Sequence, residues 1–259
     1  LTDTFLFFIE FNYFAAEELG IAEDHSDKGF SALSGHIMRG DVSGVVQALL
    51  EQPDPNVLSP DGFHPITWAI WERQQEIVAA ILEAGGEPAA MNFDGSTSLH
   101  WAARDNQTDV IAMVEEAGGD INAEDWNGMT PLMSAAWSGH ADSVKLLQER
   151  GATPSTSNSY GVSALHYALL WDDNPAIVQA LIEAGADPNA RSTTGRFCGR
   201  TPLMIAVQNG SLRSVEVMIA GGADPSVKDD YGDTPLILAR REGFARIEEM
   251  LLDALEGGE

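Results

Sequence analysis

Glycine recurs at a fixed interval along this chain. Gly62, Gly95, Gly128 and Gly161 are each 33 residues apart, and Gly199 and Gly232 repeat that interval. A period near 33 residues calls for supersecondary units stacked one on the next, each burying its apolar side only against its neighbours. That architecture also absorbs the length. A chain of 259 residues exceeds a usual single core, whereas a solenoid grows by adding units.

A second pattern follows the glycines. Gly128-Met129-Thr130-Pro131-Leu132, Gly199-Arg200-Thr201-Pro202-Leu203 and Gly232-Asp233-Thr234-Pro235-Leu236 share G-x-T-P-L, while Ser98-Leu99-His100 and Ala164-Leu165-His166 carry the neighbouring L-H. Thr before Pro can cap a helix whose first position takes Pro, because the missing N–H would be unsatisfied there in any case. Each unit closes on a marker such as Leu181-Ile182-Glu183-Ala184-Gly185-Ala186-Asp187-Pro188-Asn189 or Ile81-Leu82-Glu83-Ala84-Gly85-Gly86-Glu87-Pro88. Gly85, Gly118, Gly151, Gly185 and Gly222 suit left-handed caps at the end of a second helix. Every unit thus reads as turn, helix, tight turn, helix and a long return loop.

These motifs resemble ankyrin repeats, over about residues 29 to 251. The resemblance implies an all-α ankyrin-repeat solenoid of about seven helix-turn-helix repeats with projecting return loops and an N-terminal helical cap. The repeats fall near 29–61, 62–94, 95–127, 128–160, 161–198, 199–231 and 232–259. The first is degenerate, with Gly29 lying 33 before Gly62 and Gly40-Asp41 standing at the between-helix turn. Two intervals are irregular. Gly161 to Gly185 is one residue longer than its counterparts, which puts an extra residue near Trp171-Asp172-Asp173-Asn174-Pro175. Gly185 to Gly199 is four residues too long, so the loop around Arg191 to Cys198 should project.

Residues 1–28 differ from all that follow. Phe5, Phe7, Phe8, Phe11, Tyr13 and Phe14 crowd together ahead of a polar link, Glu23-Asp24-His25-Ser26-Asp27. A helix covering the apolar end of the first repeat is one reading, since terminal repeats need covering. A docking segment for a partner is the other.

The 40 acidic residues against 14 basic ones give a formal net charge of −26. Such a field repels nucleic acid and anionic membranes and steers basic partners inward. It also serves solubility or a salty habitat. One cysteine excludes an internal disulfide, and no apolar run approaches the roughly 20 residues of a membrane span.

Repeat register sorts the aromatics into rows. Trp68, Trp101 and Tyr167 occupy equivalent first-helix positions and read as an inter-repeat core ladder. Trp71, Trp137 and Trp171 come later, near the end of that helix, where ankyrin repeats usually face the concave groove. Phe63, Phe93, Trp126, Tyr160, Phe197 and Tyr231 mark the loop tips, interleaved with carboxylates that include Asp94, Asp105 and Asp172. Aromatic anchors among carboxylates suit a protein partner with a basic rim. Arg191, Arg196 and Arg200 gather in the long loop, either to grip an acidic patch on that partner or to neutralise the acidic loops beside them.

No catalytic constellation emerges. His100 and His166 belong to the repeat motif, where ankyrin histidines tie adjacent repeats, and His140 sits in a turn. The residues show no metal-ligand spacing and no phosphate-binding loop, and no cofactor is expected. The expected function is non-catalytic protein binding. The order Gly40-Asp41, Val45, Leu49-Leu50, Asp54-Pro55-Asn56 and Ile66-Thr67-Trp68-Ala69 resembles bacterial ankyrin proteins that act as immunity or accessory proteins to secreted phospholipases or other toxic effectors. That resemblance implies a secreted toxin or lipase as partner and a bacterial periplasm or cytoplasm as location. A general scaffold or stress-related accessory protein, and an acidic mimic of nucleic acid, are the alternatives.

Overall fold

A computed structural model describes residues 28–51, 54–170, 173–193 and 198–256. The expected N-terminal cap lies outside the described residues, except for Lys28. Among those described are fourteen α-helices in seven pairs: α1 (Lys28–Arg39) with α2 (Val42–Glu51), α3 (Pro65–Trp71) with α4 (Gln75–Glu83), α5 (Ser98–Arg104) with α6 (Thr108–Glu116), α7 (Pro131–Trp137) with α8 (Ala141–Glu149), α9 (Ala164–Ala168) with α10 (Pro175–Glu183), α11 (Pro202–Gln208) with α12 (Leu212–Ala220), and α13 (Pro235–Glu242) with α14 (Ala245–Glu256). The all-helical solenoid read from the repeats is the fold.

The helix starts follow the sequence. Thr130, Thr201 and Thr234 take extended backbone angles and accept the N–H of Met133, Met204 and Ile237 on their hydroxyl oxygens, with proline next in line. Where Ser163 replaces Thr before α9, its N–H donates to Nδ1 of His166 at 3.1 Å and its hydroxyl lies 2.8 Å from the same nitrogen. The proton of the neutral ring is thereby left on Nε2, which donates to the Arg200 carbonyl at 3.2 Å. His166 does tie its repeat to the next. Removing one of these caps, by Thr130→Ala, should cost about 1 kcal/mol and lower the thermal midpoint by roughly 2–4 °C, measurable by circular dichroism.

The described chain forms two compact units that divide within the third repeat. One runs to Ala102 and includes Ala112–Asp120, and the other comprises Ala103–Ile111 and the residues from Ile121 onward. In the first, Ile37, Val45, Ile70, Ile77, Ile81 and Leu99 are fully buried; in the second, Leu132, Leu147, Leu165, Val178, Met218 and Leu251 are. Both sets follow helical spacing, with one apolar stripe per helix turned inward.

Return-loop tips are joined by single backbone bonds. The Phe93 N–H donates to the Gly62 carbonyl at 2.9 Å in the first unit. In the second, Ser159 donates to Asn127 at 2.9 Å and Thr193 to Tyr160 at 2.8 Å. These close approaches account for the glycine at the heart of the period. At Gly161, with φ of 70°, an added Cβ would lie 2.7 Å from the Arg191 carbonyl oxygen and 2.9 Å from the Thr193 nitrogen, so neither the conformation nor the space admits a side chain.

A second set of links is not periodic at 33. The Asn56 amide donates to the Gly85 carbonyl at 3.3 Å and accepts the Glu87 N–H at 2.7 Å. Asn122 does the same with Gly151 and Thr153, at 3.3 and 2.8 Å. Asn189 does so with Gly222 and Asp224, at 3.0 and 2.8 Å. The equivalent positions in the second, fourth and sixth repeats are Ala89, Ser155 and Ser226, which carry no amide. The carboxamide staple occurs at every second joint.

Candidate protein-binding face

In the first unit an aromatic cluster grows from α3 and the loops on either side of it. Trp71, the last residue of α3, stacks on Trp68 with ring centroids 5.6 Å apart and planes 14° from parallel. It also stacks on Trp101 of α5, at 5.5 Å and 18°. Phe63, on the loop before α3, sets its ring edgewise to all three indoles at 5.6–6.4 Å and to Phe93 at 5.0 Å. Offset stacks and edge contacts of this kind add stability beyond the area they bury. Trp101 is buried, and its indole N–H donates to the Ser96 hydroxyl at 2.8 Å. Phe63, Trp68, Trp71 and Phe93 stay partly open to water. The rows that the sequence separates into core ladder and binding face meet here in one stack.

In the second unit the tip aromatics stand in water: Trp126 is 56% exposed, Tyr160 48% and Tyr231 72%. Turn bonds close the loops that carry the two tyrosines. Asn158 accepts the N–H groups of Tyr160 and Val162, at 3.0 and 2.9 Å, and Asp229 accepts those of Tyr231 and Asp233, at 3.0 and 2.9 Å. Trp137, at the end of α7, lies half-buried with the Arg104 guanidinium 5.9 Å from its ring centroid. Arg104 thus sits over an indole face as a cationic partner residue could. Tyr167 keeps its hydroxyl 2.8 Å from the Asn158 amide; chiefly by burial, its pKa is pushed up to about 12. It belongs to the structure of the loop.

The charged candidates divide. Asp94 turns its carboxylate onto the N–H and hydroxyl of Ser96, so its charge closes its own turn. Asp105 is half-buried just past α5. In the long loop, Arg191 pairs with Asp230 at 3.0 Å and Arg200 with Asp229 at 3.4 Å. Both described arginines neutralise neighbouring acidic turns. The Arg200–Asp229 pair is buried, and clustering of arginines in the sequence gives no sign of that. Trp171, Asp172, Arg196 and Phe197 lie outside the described residues.

Among the described residues no group of three or more His, Cys, Asp or Glu is placed to hold a metal. No described helix is long and apolar enough to cross a membrane.

Known proteins align with this geometry. A family model of ankyrin repeats, three copies long, matches residues 33–125, 86–158, 117–192 and 165–258. The crystal structure of the ankyrin repeat domain of Bcl-3, described as a unique member of the IkappaB family, superposes with a TM-score of 0.72 at 25% identity, covering 88% of this chain and 99% of that domain. Protein PhlB of Serratia liquefaciens is 36% identical over 90 residues, 35% of this chain and 38% of PhlB. The ADP-ribosylation factor GTPase-activating protein AGD4 of Arabidopsis thaliana is 34% identical over 92 residues, 36% of this chain and 11% of that protein. The 2-5A-dependent ribonuclease of Mus musculus is 45% identical over 62 residues, 24% of this chain and 8% of the ribonuclease. The chain thus spans less than two-fifths of the length of these three curated relatives. Since the family model matches repeat after repeat from residue 33 to residue 258, this chain belongs to the ankyrin-repeat family, a fold that serves as a protein–protein interaction module and generally as a non-catalytic scaffold.

Proposed function

We propose that this chain acts without chemistry of its own, as a bacterial immunity or accessory protein that binds and neutralises a secreted toxin or phospholipase with a basic surface. The observation that carries this reading is the row of open loop-tip aromatics, Trp126, Tyr160 and Tyr231, on a chain of net charge −26. Large rings left open to water at loop tips suit a partner's pockets, and the surrounding carboxylates favour a cationic rim and fast encounter. A bacterial relative, PhlB of Serratia liquefaciens, supports the bacterial setting.

The test is inhibition of a secreted hydrolase or toxin recovered on the immobilised protein through a high-salt wash. Trp126→Ala with Tyr231→Ala should weaken that binding and inhibition by about 30-fold or more, the loss expected of one or two anchor residues. Trp71→Ala should act in the same direction through the first unit's cluster. Binding that collapses in salt while the aromatic variants bind normally would sink the proposal and favour the acidic-mimic reading, because salt screens charge and leaves apolar anchoring intact.

A further inference from the structure

The return loops of the first unit expose apolar side chains at a position where later loops place polar ones. Each loop turn is closed by a backbone bond from its periodic glycine: Gly62 to Ser59, Gly95 to Asn92, Gly128 to Asp125, Gly161 to Asn158, Gly199 to Ser192 and Gly232 to Asp229. The residue just before each turn is, in the same order, Leu58, Met91, Glu124, Ser157, Arg191 and Lys228. Leu58 is 39% exposed and Met91 53%. Both belong to the first unit, whereas the second unit sets a charge or a hydroxyl at the same place.

The two loops are tethered to each other. The Asn56 amide reaches across to Gly85 and Glu87. The His64 ring stands between two carbonyls, with Nδ1 2.9 Å from that of Asn56 and Nε2 3.2 Å from that of Met91. The His64 N–H donates to the Asn92 side-chain oxygen at 3.1 Å, and the Phe93 N–H to the Gly62 carbonyl at 2.9 Å. On the same loops the rings of Phe63 and Phe93 touch edgewise, and Phe63 continues to Trp71 on α3. Leu58 and Met91 thus border the partly open aromatic cluster, and an apolar patch of this kind marks a contact surface where a lone exposed leucine would not.

Carboxylates surround it. Asp54, Asp61 and Glu87 are exposed on the two loops, and no lysine or arginine occurs between Asp41 and Glu72 or between Gln74 and Ala103. Arg73, the one base in that stretch, follows the far end of α3.

We propose that this patch docks a basic segment of a partner protein, one that presents leucine-like side chains between its lysines or arginines. Its apolar side chains lie on Leu58, Met91 and the rings beside them, and its cations face the carboxylates. Arg191 and Lys228 put cations at the equivalent position of later loops, so the fit is to the first unit. The inference rests on the protein-binding reading of the chain, but neither on a toxin as partner nor on the tips of the second unit.

Titration calorimetry with two short synthetic peptides tests it, one alternating leucine with lysine and the other lysine throughout. The native protein should bind the first more tightly, and should retain it in high salt while the second is released. Leu58→Glu with Met91→Glu, which gives both loops the glutamate found at position 124, should weaken the leucine–lysine peptide about tenfold or more. The same variant adds two carboxylates, so it should hold the lysine peptide as well or better. Only a lost apolar contact moves the two peptides in opposite directions. Leu58→Ser with Met91→Ser, after Ser157, should also weaken the leucine–lysine peptide and decides the matter if the glutamate variant does not fold. Equal native affinity for the two peptides, or undiminished affinity for the leucine–lysine peptide in the variants, overturns the proposal. So does loss of that affinity in Trp126→Ala with Tyr231→Ala, which would place the peptide on the second unit. The toxin reading fails separately, when no hydrolase or toxin is retained and inhibited, whatever the peptides do.

Discussion

Asp229→Ala should destabilise the second unit by about 3–5 kcal/mol, the loss expected when one member of a buried ion pair is removed. The Asp229 side chain is wholly out of water and that of Arg200 only 11% exposed, with Nε donating to Oδ2 at 3.4 Å. The other carboxylate oxygen accepts the N–H groups of Tyr231 and Asp233. Truncation strands both donors and leaves the guanidinium with the Gln208 side chain as its remaining polar partner in this network. The thermal midpoint should fall by roughly 6–20 °C for a chain of this size.

Two controls sharpen that result. Asp229→Asn should be much milder, because Asn158 holds its own loop with the same two backbone bonds. Adding Arg200→Leu to Asp229→Ala should recover part of the loss, since the penalty lies in the abandoned charge more than in the missing attraction. A single variant within about 1 kcal/mol of the native protein in urea unfolding would mean that the pair is hydrated in solution.

His166 should make the fold sensitive to acid. Burial lowers its pKa from 6.5 to about 4, against the opposing pulls of the Arg200 carbonyl and Asp187. Between those two values the unfolded chain binds a proton that the folded chain refuses. Stability contributed by the neutral ring is therefore complete above about pH 6.5 and is lost as the pH falls towards 4, by about 3 kcal/mol in all. Urea unfolding at pH 7.5, 6, 5 and 4.5 should show this slope in the native protein and a flatter one in His166→Gln. The comparison is made between the two proteins because the 40 acidic residues titrate in both, and protonating them relieves their mutual repulsion. Parallel curves would show that His166 takes up its proton without leaving its site.

The fold is legible because each repeat spells out its own helix starts and turns. Thr130-Pro131, Thr201-Pro202 and Thr234-Pro235 cap helices at those residues, and the glycine period marks where neighbouring loops touch. The candidate face is legible only as rows. Trp68 and Trp71 lie three residues apart on one helix, close enough for their rings to meet, yet nothing local reveals that Trp101, from the first helix of the next repeat, completes the stack. Side-chain choices within loops are equally hidden. Asp94 spends its charge on Ser96, although it reads in the sequence as part of the binding face, and Arg200 buries its charge against Asp229, a partner that the sequence does not single out. Long-range packing, absent from any single repeat, decides each of these cases.

The asparagine staples give the second unit a mechanical grain. Asn122 fastens the third repeat's return loop to the fourth repeat, and Asn189 fastens the fifth repeat's to the sixth, while Ser155 and Ser226 offer no carboxamide at the joints between. The carboxamide links thus pair the repeats into doublets of about 66 residues, twice the period of the glycines, while the joint at Ser155 is held instead by Gln148 on the Ala180 carbonyl and by the loop-tip bond from Thr193 to Tyr160.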